Sequence, residues 1–426
     1  MEFMKKPTLV DLFCGAGGLS HGFHEAGFQI SAGVDFDADS LVSFRSNHPR
    51  AEGIKADLSQ MEPQQLAEAI SIGRDQLDCL CGGPPCQGFS RNRAFRHHEG
   101  AFVDDPRNHL YWHFFHFVEY FRPRIVVMEN VPEILIKSNG FFRDAVFERF
   151  ARIGYNVQAK ILNAAEFGAP QQRRRAFFIA GRENQAVDFP SPTTLLGPRA
   201  GRRTPSSAEY IGKHEKALSL FDSLPTSPTV WDAIGDLHGQ YADSLDGGCE
   251  YATEPLNDYQ REWRKGCSRL WNHFPWPLTE RQFKRISLLA QGQGQSHLPS
   301  ELQTKNGYGS AYRRLQGNAQ ALTITTWMFH PGSGMFTHPL ENRVITVREA
   351  ARLQSFQDSF VFHGRYHSQC RQVGNSVAPL VAKNVAQAVL RSLDYKPAGD
   401  ASSTRILPAR AKSSMASSSP ARSQSM

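Results

Sequence analysis

The first 180 residues alternate short apolar runs with amphipathic stretches, and this alternation limits the folds open to the chain. TLVDLF runs into the glycine cluster GAGG, and ISAGVD closes at Asp35; LDCLCGG and PRIVVMENV stop as abruptly at glycine and asparagine. Between them LSHGFHEAG and ADSLVSFRSN have helical character, and the length and aromatic spacing of YWHFFHFVEYF suit a buried helix. Strands alternating with helices predict an α/β architecture built on a parallel sheet, with functional groups collected at the strand ends.

After Gly181 the pattern fades. Residues 182–230 are rich in Pro, Ser, Thr and Arg, and a mixed stretch to about residue 342 holds Trp231, Trp263, Trp271 and Trp276 without clear periodicity. Regularity returns in VITVREAARLQSF, where Thr346 is placed as an N-cap with Glu349 three residues on, and in the amphipathic VAPLVAKNVAQAVLRSL. The expected divisions are 1–181 and 343–395 for one domain, 182–342 for a second, smaller one, and 396–426 for a disordered Ser/Ala/Pro/Arg-rich tail.

Composition excludes some classes. No run approaches the roughly 18 apolar residues of a membrane helix. MEFMKKPTLVDLF passes from two lysines into a strand without a small-residue cleavage site, so no signal peptide is expected and the cytoplasm is the expected compartment. Seven cysteines argue against a disulfide framework, and CLCGGPPC lacks the C-x-x-C spacing of a zinc site, so no metal is expected. Of the net charge of +7, the tail from Lys396 supplies +4 (five basic residues, one acid); the remaining +3 is compatible with DNA binding without establishing it.

DLFCGAGGLS lies between a strand and a helix, where Gly15, Gly17 and Gly18 let backbone N–H groups approach a ligand. The third glycine of a dinucleotide fingerprint would fall at Ser20, which weakens a nicotinamide reading. Asp35, about 20 residues on, can hold ribose hydroxyls, and Asp57 can accept from an adenine amino group. Loop and acids together favour an adenosine-containing cofactor. Cys86 sits between Pro84-Pro85 and Gln87-Gly88, a stiff turn rather than a core position.

In order from Asp11 to Pro379, the blocks DLFCGAGGLS, GGPPCQGFS, MENVPE, QQRRRAFFIA, VREAARLQSF and QVGNSVAP resemble the cytosine-5 DNA methyltransferase family. The resemblance implies a Rossmann-like S-adenosylmethionine-dependent methyltransferase sheet with a smaller target recognition domain over 182–342. It implies S-adenosyl-L-methionine as cofactor and double-stranded DNA as substrate. By the family's pattern Cys86 attacks carbon 6 of a flipped cytosine, Glu129 binds ring nitrogen 3 and the exocyclic amine, and Arg175 lies near the base carbonyl with Arg173 in support. The cofactor set carried over is Phe13, Gly15, Gly17, Gly18, Asp35, Asp57, Pro85, Leu110, Asn375, Ser376 and Val377. Ser90–Leu110, with Arg91, Arg93, Arg96, His97 and His98, matches the family's closing loop. Gln291, Gln293, Gln295, Arg313 and Arg314 are candidate DNA contacts.

Two positions depart from the pattern: Gln357 stands where the family has proline and Glu133 where glycine is common. The organisation resembles bacterial modification enzymes, which implies a monomer and a possible companion restriction endonuclease acting on the same site. The alternatives are a tRNA cytosine-5 methyltransferase, whose Cys-Phe-Thr stretch is absent from the sequence, and a catalytically silent DNA-binding protein.

Overall fold

The computed structural model describes residues 6–85, 110–183, 185–197, 224–304 and 309–395. Cys86, most of the expected closing loop, much of the Pro/Ser/Thr-rich stretch and the tail lie outside these residues. Strand β1 (Thr8–Leu12) leads into α1 (Gly18–Ala26), β2 (Gln29–Asp35), α2 (Ala38–Asn47), β3 (Glu52–Lys55), α3 (Pro63–Ile70) and β4 (Cys79–Gly82). Helix α4 (Leu110–Phe121), β5 (Ile125–Asn130), α5 (Phe141–Arg152), β6 (Tyr155–Asn163), β7 (Gln171–Gln172) and β8 (Arg174–Arg182) follow. The seven-stranded sheet has the order β3-β2-β1-β4-β5-β8-β6, so the chain reverses its winding between β1 and β4. In open α/β sheets the crevice at such a reversal, at the carboxyl ends of the strands, is where ligands bind.

The sheet is mixed, which corrects the expectation of a parallel one. Strand β8 runs antiparallel to both β5 and β6. Its link from β6 contains the short 3-10 turn Ala164–Phe167 and no crossover helix, and a parallel return needs a crossover of a dozen residues or more. The reversal has a functional consequence: it brings the start of β8 to the end of β5, with Asn130 opposite Ala176 and Glu129 opposite Phe177.

Strand residues alternate between two buried faces, which is why the runs read as continuously apolar. Ile125, Val127, Phe177 and Ile179 pack with Leu19 and Phe23 of α1 and with Val381, Val385 and Val389. Val126, Met128, Phe178 and Ala180 face the other way, onto Phe114, Phe117 and Phe121 of α4 and Phe150 of α5. YWHFFHFVEYF is therefore the buried helix its spacing predicts.

The middle of the chain is built from short elements: α6 (Val230–Ile234), β9 (Gly248–Cys249), α7 (Asp258–Arg264), β10 (Leu270–Trp271), α8 (Glu280–Ser287) and β11 (Ala321–Leu322). Helices α9 (Val347–Leu353), α10 (Tyr366–Asn375) and α11 (Pro379–Ser392) close the described chain. Thr346 caps α9 as expected: its side chain accepts from the Glu349 N–H, and the Glu349 carboxylate accepts from the Thr346 N–H at 2.8 Å. Buried ions tie α9 to the middle segments. Arg352 donates to Asp358 at 2.6 Å and to Asp236 at 2.8 Å, and Arg343 donates to Glu349 at 2.7 Å. Gln357 offers its backbone carbonyl to Arg348 at 3.0 Å, a contact that proline could also make.

Candidate active site

A cavity of ≈ 550 Å³ opens at the winding reversal, bounded by the ends of β1, β2, β4 and β5 and by α10 with the turn after it. From the expected cofactor set, Phe13, Gly15, Gly18, Asp35, Pro85, Asn375, Ser376 and Val377 line it, and Glu129 and Arg175 line the same space. Gly17, Asp57, Leu110 and Arg173 do not.

The glycine loop is shaped by its backbone. Phe13 has φ 60°, left-handed for a residue with a side chain, and Gly15 follows at φ 54°. Such a conformation at a non-glycine residue costs on the order of 1–3 kcal/mol and collects at functional sites. Asp35 holds the loop in place, accepting from Gly15 N–H at 2.8 Å and from Asp37 N–H at 2.9 Å. Burial raises the Asp35 pKa, and the two backbone bonds oppose the rise. A Cβ on Gly18 would lie 2.7 Å from the Val377 carbonyl oxygen, so glycine is what lets the carboxyl-terminal turn seat against the loop.

The remaining residues of the expected cofactor set lie off the cavity. Gly17 is the N-cap of α1 at φ 95°, backed by His48 and Phe44. Asp57 is exposed after β3 and closes a local turn onto Ser59, accepting from its N–H at 2.9 Å and its hydroxyl at 2.8 Å. Leu110 begins α4 and is half-buried.

At the reacting end, the Arg175 Nε lies 3.0 Å from Glu129 Oε1. Burial raises the Glu129 pKa, while Arg175 and then Arg173 pull it back. A Cβ on Gly83 would come within 3.2 Å of Glu129 Oε2, so the glycine after β4 gives this carboxyl group its room. Asn130 binds the next turn: its Nδ2 donates to the Pro84 carbonyl at 3.1 Å, two residues before Cys86 in sequence.

Two expectations are corrected. Arg173 does not share a strand face with Arg175, because β8 begins at Arg174 and Arg173 sits in the link before it. Its buried guanidinium donates to the Ile324 carbonyl at 2.9 Å and the Gly374 carbonyl at 2.8 Å, so it braces the turn next to Asn375 and does not line the cavity that holds Glu129 and Arg175. Arg314 is buried, with its five N–H groups on the carbonyls of Leu289, His338, Glu341 and Ile286 and on Asn342 Oδ1, leaving none for DNA. The Gln291 side-chain oxygen accepts from the Gly317 N–H, 26 residues further on, and that of Gln293 from the Ala290 N–H.

Sequence reasoning missed Phe36, Asp11 and Arg371, all on the cavity wall. Phe36 is 72% exposed, an unusual place for phenylalanine unless something covers it. Its signal was its position directly after Asp35, at the end of a strand expected to hold a nucleoside.

A family profile described as C-5 cytosine-specific DNA methylase matches residues 8–391. The chain belongs to that family. It is similar to the type II methyltransferase M.AgeI of Thalassovita gelatinovora, at 30% identity over 89% of this chain and 98% of the relative. It is also similar to the type II methyltransferase M1.HphI of Haemophilus parahaemolyticus, at 33% identity over 90% and 87%. A solved structure described as a DNA modification methyltransferase encoded within an E. coli prophage shares the fold, with a TM-score of 0.69 at 24% identity over 91% of this chain and all of that one. The chain is thus a DNA (cytosine-5)-methyltransferase, and its cofactor is S-adenosyl-L-methionine.

The cavity fits that cofactor. The exposed Phe36, the Asp35 carboxylate and the Glu129–Arg175 pair all line this one space. A Cβ on Gly15 would meet nothing within 4 Å, so the loop leaves open space there.

Proposed function

We propose that this methyltransferase modifies a flipped cytosine in a specific double-stranded DNA sequence, with Cys86, Glu129 and Arg175 acting on the base. The observation that carries the reading is the Glu129–Arg175 pair in one cavity with the cofactor loop. When bound, the cofactor supplies an electrophilic methyl group. The Cys86 thiolate adds to carbon 6 of the base, and Glu129 in its protonated form holds ring nitrogen 3 as the electron pair moves to carbon 5. A buried carboxyl group with a raised pKa suits that role. Arg175 keeps Glu129 oriented and offers its remaining N–H groups to the carbonyl oxygen of the base. After methyl transfer, loss of the carbon 5 proton to a base expels the thiolate and restores the ring.

Phe36 and Phe13 enclose the adenine, Asp35 holds the ribose, and Asn375, Ser376 and Val377 close on the cofactor from the turn after α10. Gly17 shapes the loop from behind, Asp57 stands at the adenine rim, and Leu110 supports the wall at the start of α4. Residues 182–342 serve as the target recognition domain, Ser90–Leu110 as the closing loop, and the body in two pieces, 1–181 and 343–395, as the catalytic domain. The enzyme works as a monomer in the cytoplasm, as the modification half of a restriction-modification system with a companion endonuclease. Relatives named type II methyltransferases support this last step.

Bisulfite sequencing of DNA from a methylation-free host expressing the protein tests the reading. Protected cytosines confined to one short motif are expected, and none with Cys86→Ala. Complete conversion in the presence of folded protein, or protection that survives Cys86→Ala, overturns it.

A further inference from the structure

Most of the buried carboxylates have a cation. Glu129 faces Arg175, Asp236 and Asp358 face Arg352, and Glu349 faces Arg343. Asp11 differs. It lies on β1 at 1% exposure, and it accepts from Ser20 of α1, through the hydroxyl at 2.5 Å and the backbone N–H, and from the Cys81 thiol of β4. The other titratable groups around it are Cys14 after β1, Cys79 on β4 and Asp35 on β2. Burial pushes all three thiols up, which keeps them neutral, and Asp35 is itself an acid. Among the described residues no lysine, arginine or histidine forms an ion pair with Asp11.

A buried anion without a cation is strongly disfavoured. Burial accordingly lifts the Asp11 pKa to about 7, against the opposing Ser20 and Cys81 bonds and with a further push from Asp35. Asp11 also lines the cofactor cavity. Asp35 accepts from two backbone N–H groups, and Asp11 from the Ser20 hydroxyl, the Ser20 backbone N–H and the Cys81 thiol, all of them neutral donors. The cation missing from this site can come from a ligand. The methyl donor is a sulfonium, positively charged at sulfur; the product left after transfer is an uncharged thioether.

We propose that Asp11 is the countercharge by which this cavity distinguishes the cationic methyl donor from its neutral product. It releases a proton to solvent as the donor enters, and takes one back once the thioether remains. The exchange favours donor over product without any change in the shape of the pocket. It rests on the cofactor assignment and gives Asp11, on the cavity wall, a part in it.

The test is calorimetric titration of the full chain with S-adenosylmethionine and with S-adenosylhomocysteine, in paired buffers of different ionisation enthalpy, from pH 6 to pH 8. The wild type is expected to release a fraction of a proton, up to one, with the donor that it does not release with the product. Its preference for donor over product should rise about tenfold across the range, because a group titrating near pH 7 goes from about one-tenth to nine-tenths ionised. Asp11→Asn should remove that rise, and any titration of the ligands' own amino groups would persist in it. Ser20→Ala should move the midpoint to higher pH, since it removes a bond to the carboxylate. Equal proton release with both ligands in the wild type overturns the proposal even where Asp11→Asn does not fold. A wild-type pH dependence that survives in folded Asp11→Asn overturns it too. Failure of both ligands to bind overturns the cofactor assignment, and the proposal with it.

Discussion

Asn130 Nδ2 donates to the Pro84 carbonyl across 3.1 Å while its own Oδ1 accepts from the Val131 N–H at 2.9 Å. One amide side chain thus fastens the turn after β4 to the turn after β5, joining the sequence neighbours of Cys86 to those of Glu129. Asn130→Ala cuts this tie without touching the cofactor loop. The methyl-transfer rate should fall on the order of 10²-fold, the cost of a small misplacement of a reacting group. Cofactor affinity, measured by calorimetry, should fall much less than the rate, because the glycine loop and its Asp35 tie are left in place. A matching loss of cofactor affinity would show that Asn130 acts on the whole pocket instead.

Glu129→Gln removes the proton that the carboxyl group can lend while keeping an oxygen for Arg175. Single-turnover methylation should slow by about 10²–10⁴-fold, the usual contribution of a positioned acid or base. Stability should move the other way. Because burial raises the folded pKa, the neutral form is favoured, and this contribution is complete below the unfolded pKa and lost as pH rises through the folded value. Glutamine is neutral throughout, so the variant should melt at or above wild type at pH 8, and the difference should shrink toward pH 5. A variant that turns over at the wild-type rate refutes the role given to Glu129.

The strands, the buried α4 helix and the Thr346–Glu349 cap could be read from the sequence because each depends on local pattern. The direction of β8 could not: its residues are apolar toward both faces, and a strand of that kind fits either way. Direction is set by the short link from β6, and it decides that Arg175 meets Glu129. The three consecutive arginines posed a related problem. Alternation treats Arg173 and Arg175 as equivalent, but the strand begins between them, and only tertiary contacts with Ile324 and Gly374 separate a brace from a site residue. Arg314 was misread for the same reason, since a buried arginine satisfied by carbonyls has no sequence signature.

Phe36→Ala separates binding from folding. At 72% exposure the ring supports little of the core, so the melting temperature should stay near that of wild type. Loss of an aromatic face against adenine should weaken cofactor binding by about 5- to 20-fold, equivalent to about 1–2 kcal/mol. Phe36→Tyr should restore most of the affinity. Calorimetric titration measures both, and an unchanged dissociation constant for the alanine variant would remove Phe36 from the cofactor site.

Acid should unfold this protein through histidines that it buries without charge. His48, His273 and His338 are at most 4% exposed, and burial lowers their pKa values from 6.5 to about 3, about 4 and about 4. The geometry agrees with neutral rings: His338 Nδ1 accepts from the Leu340 and Glu341 N–H groups at 3.3 and 3.0 Å, a role open only to an unprotonated nitrogen. Below about pH 6.5 the unfolded chain binds protons that the folded one refuses, so stability is complete above that pH and falls as pH drops toward 4. Each histidine contributes a slope of at most about 1.4 kcal/mol per pH unit in that window. Urea denaturation followed by tryptophan fluorescence should show this histidine contribution between pH 7 and pH 5, offset in part by Asp11 and Glu129, whose raised pKa values act in the opposite direction. His48→Phe, which keeps a ring beside Phe44 but cannot titrate, should flatten the slope by about one histidine's share. An unchanged slope in folded His48→Phe would mean that this ring takes up protons in the folded protein.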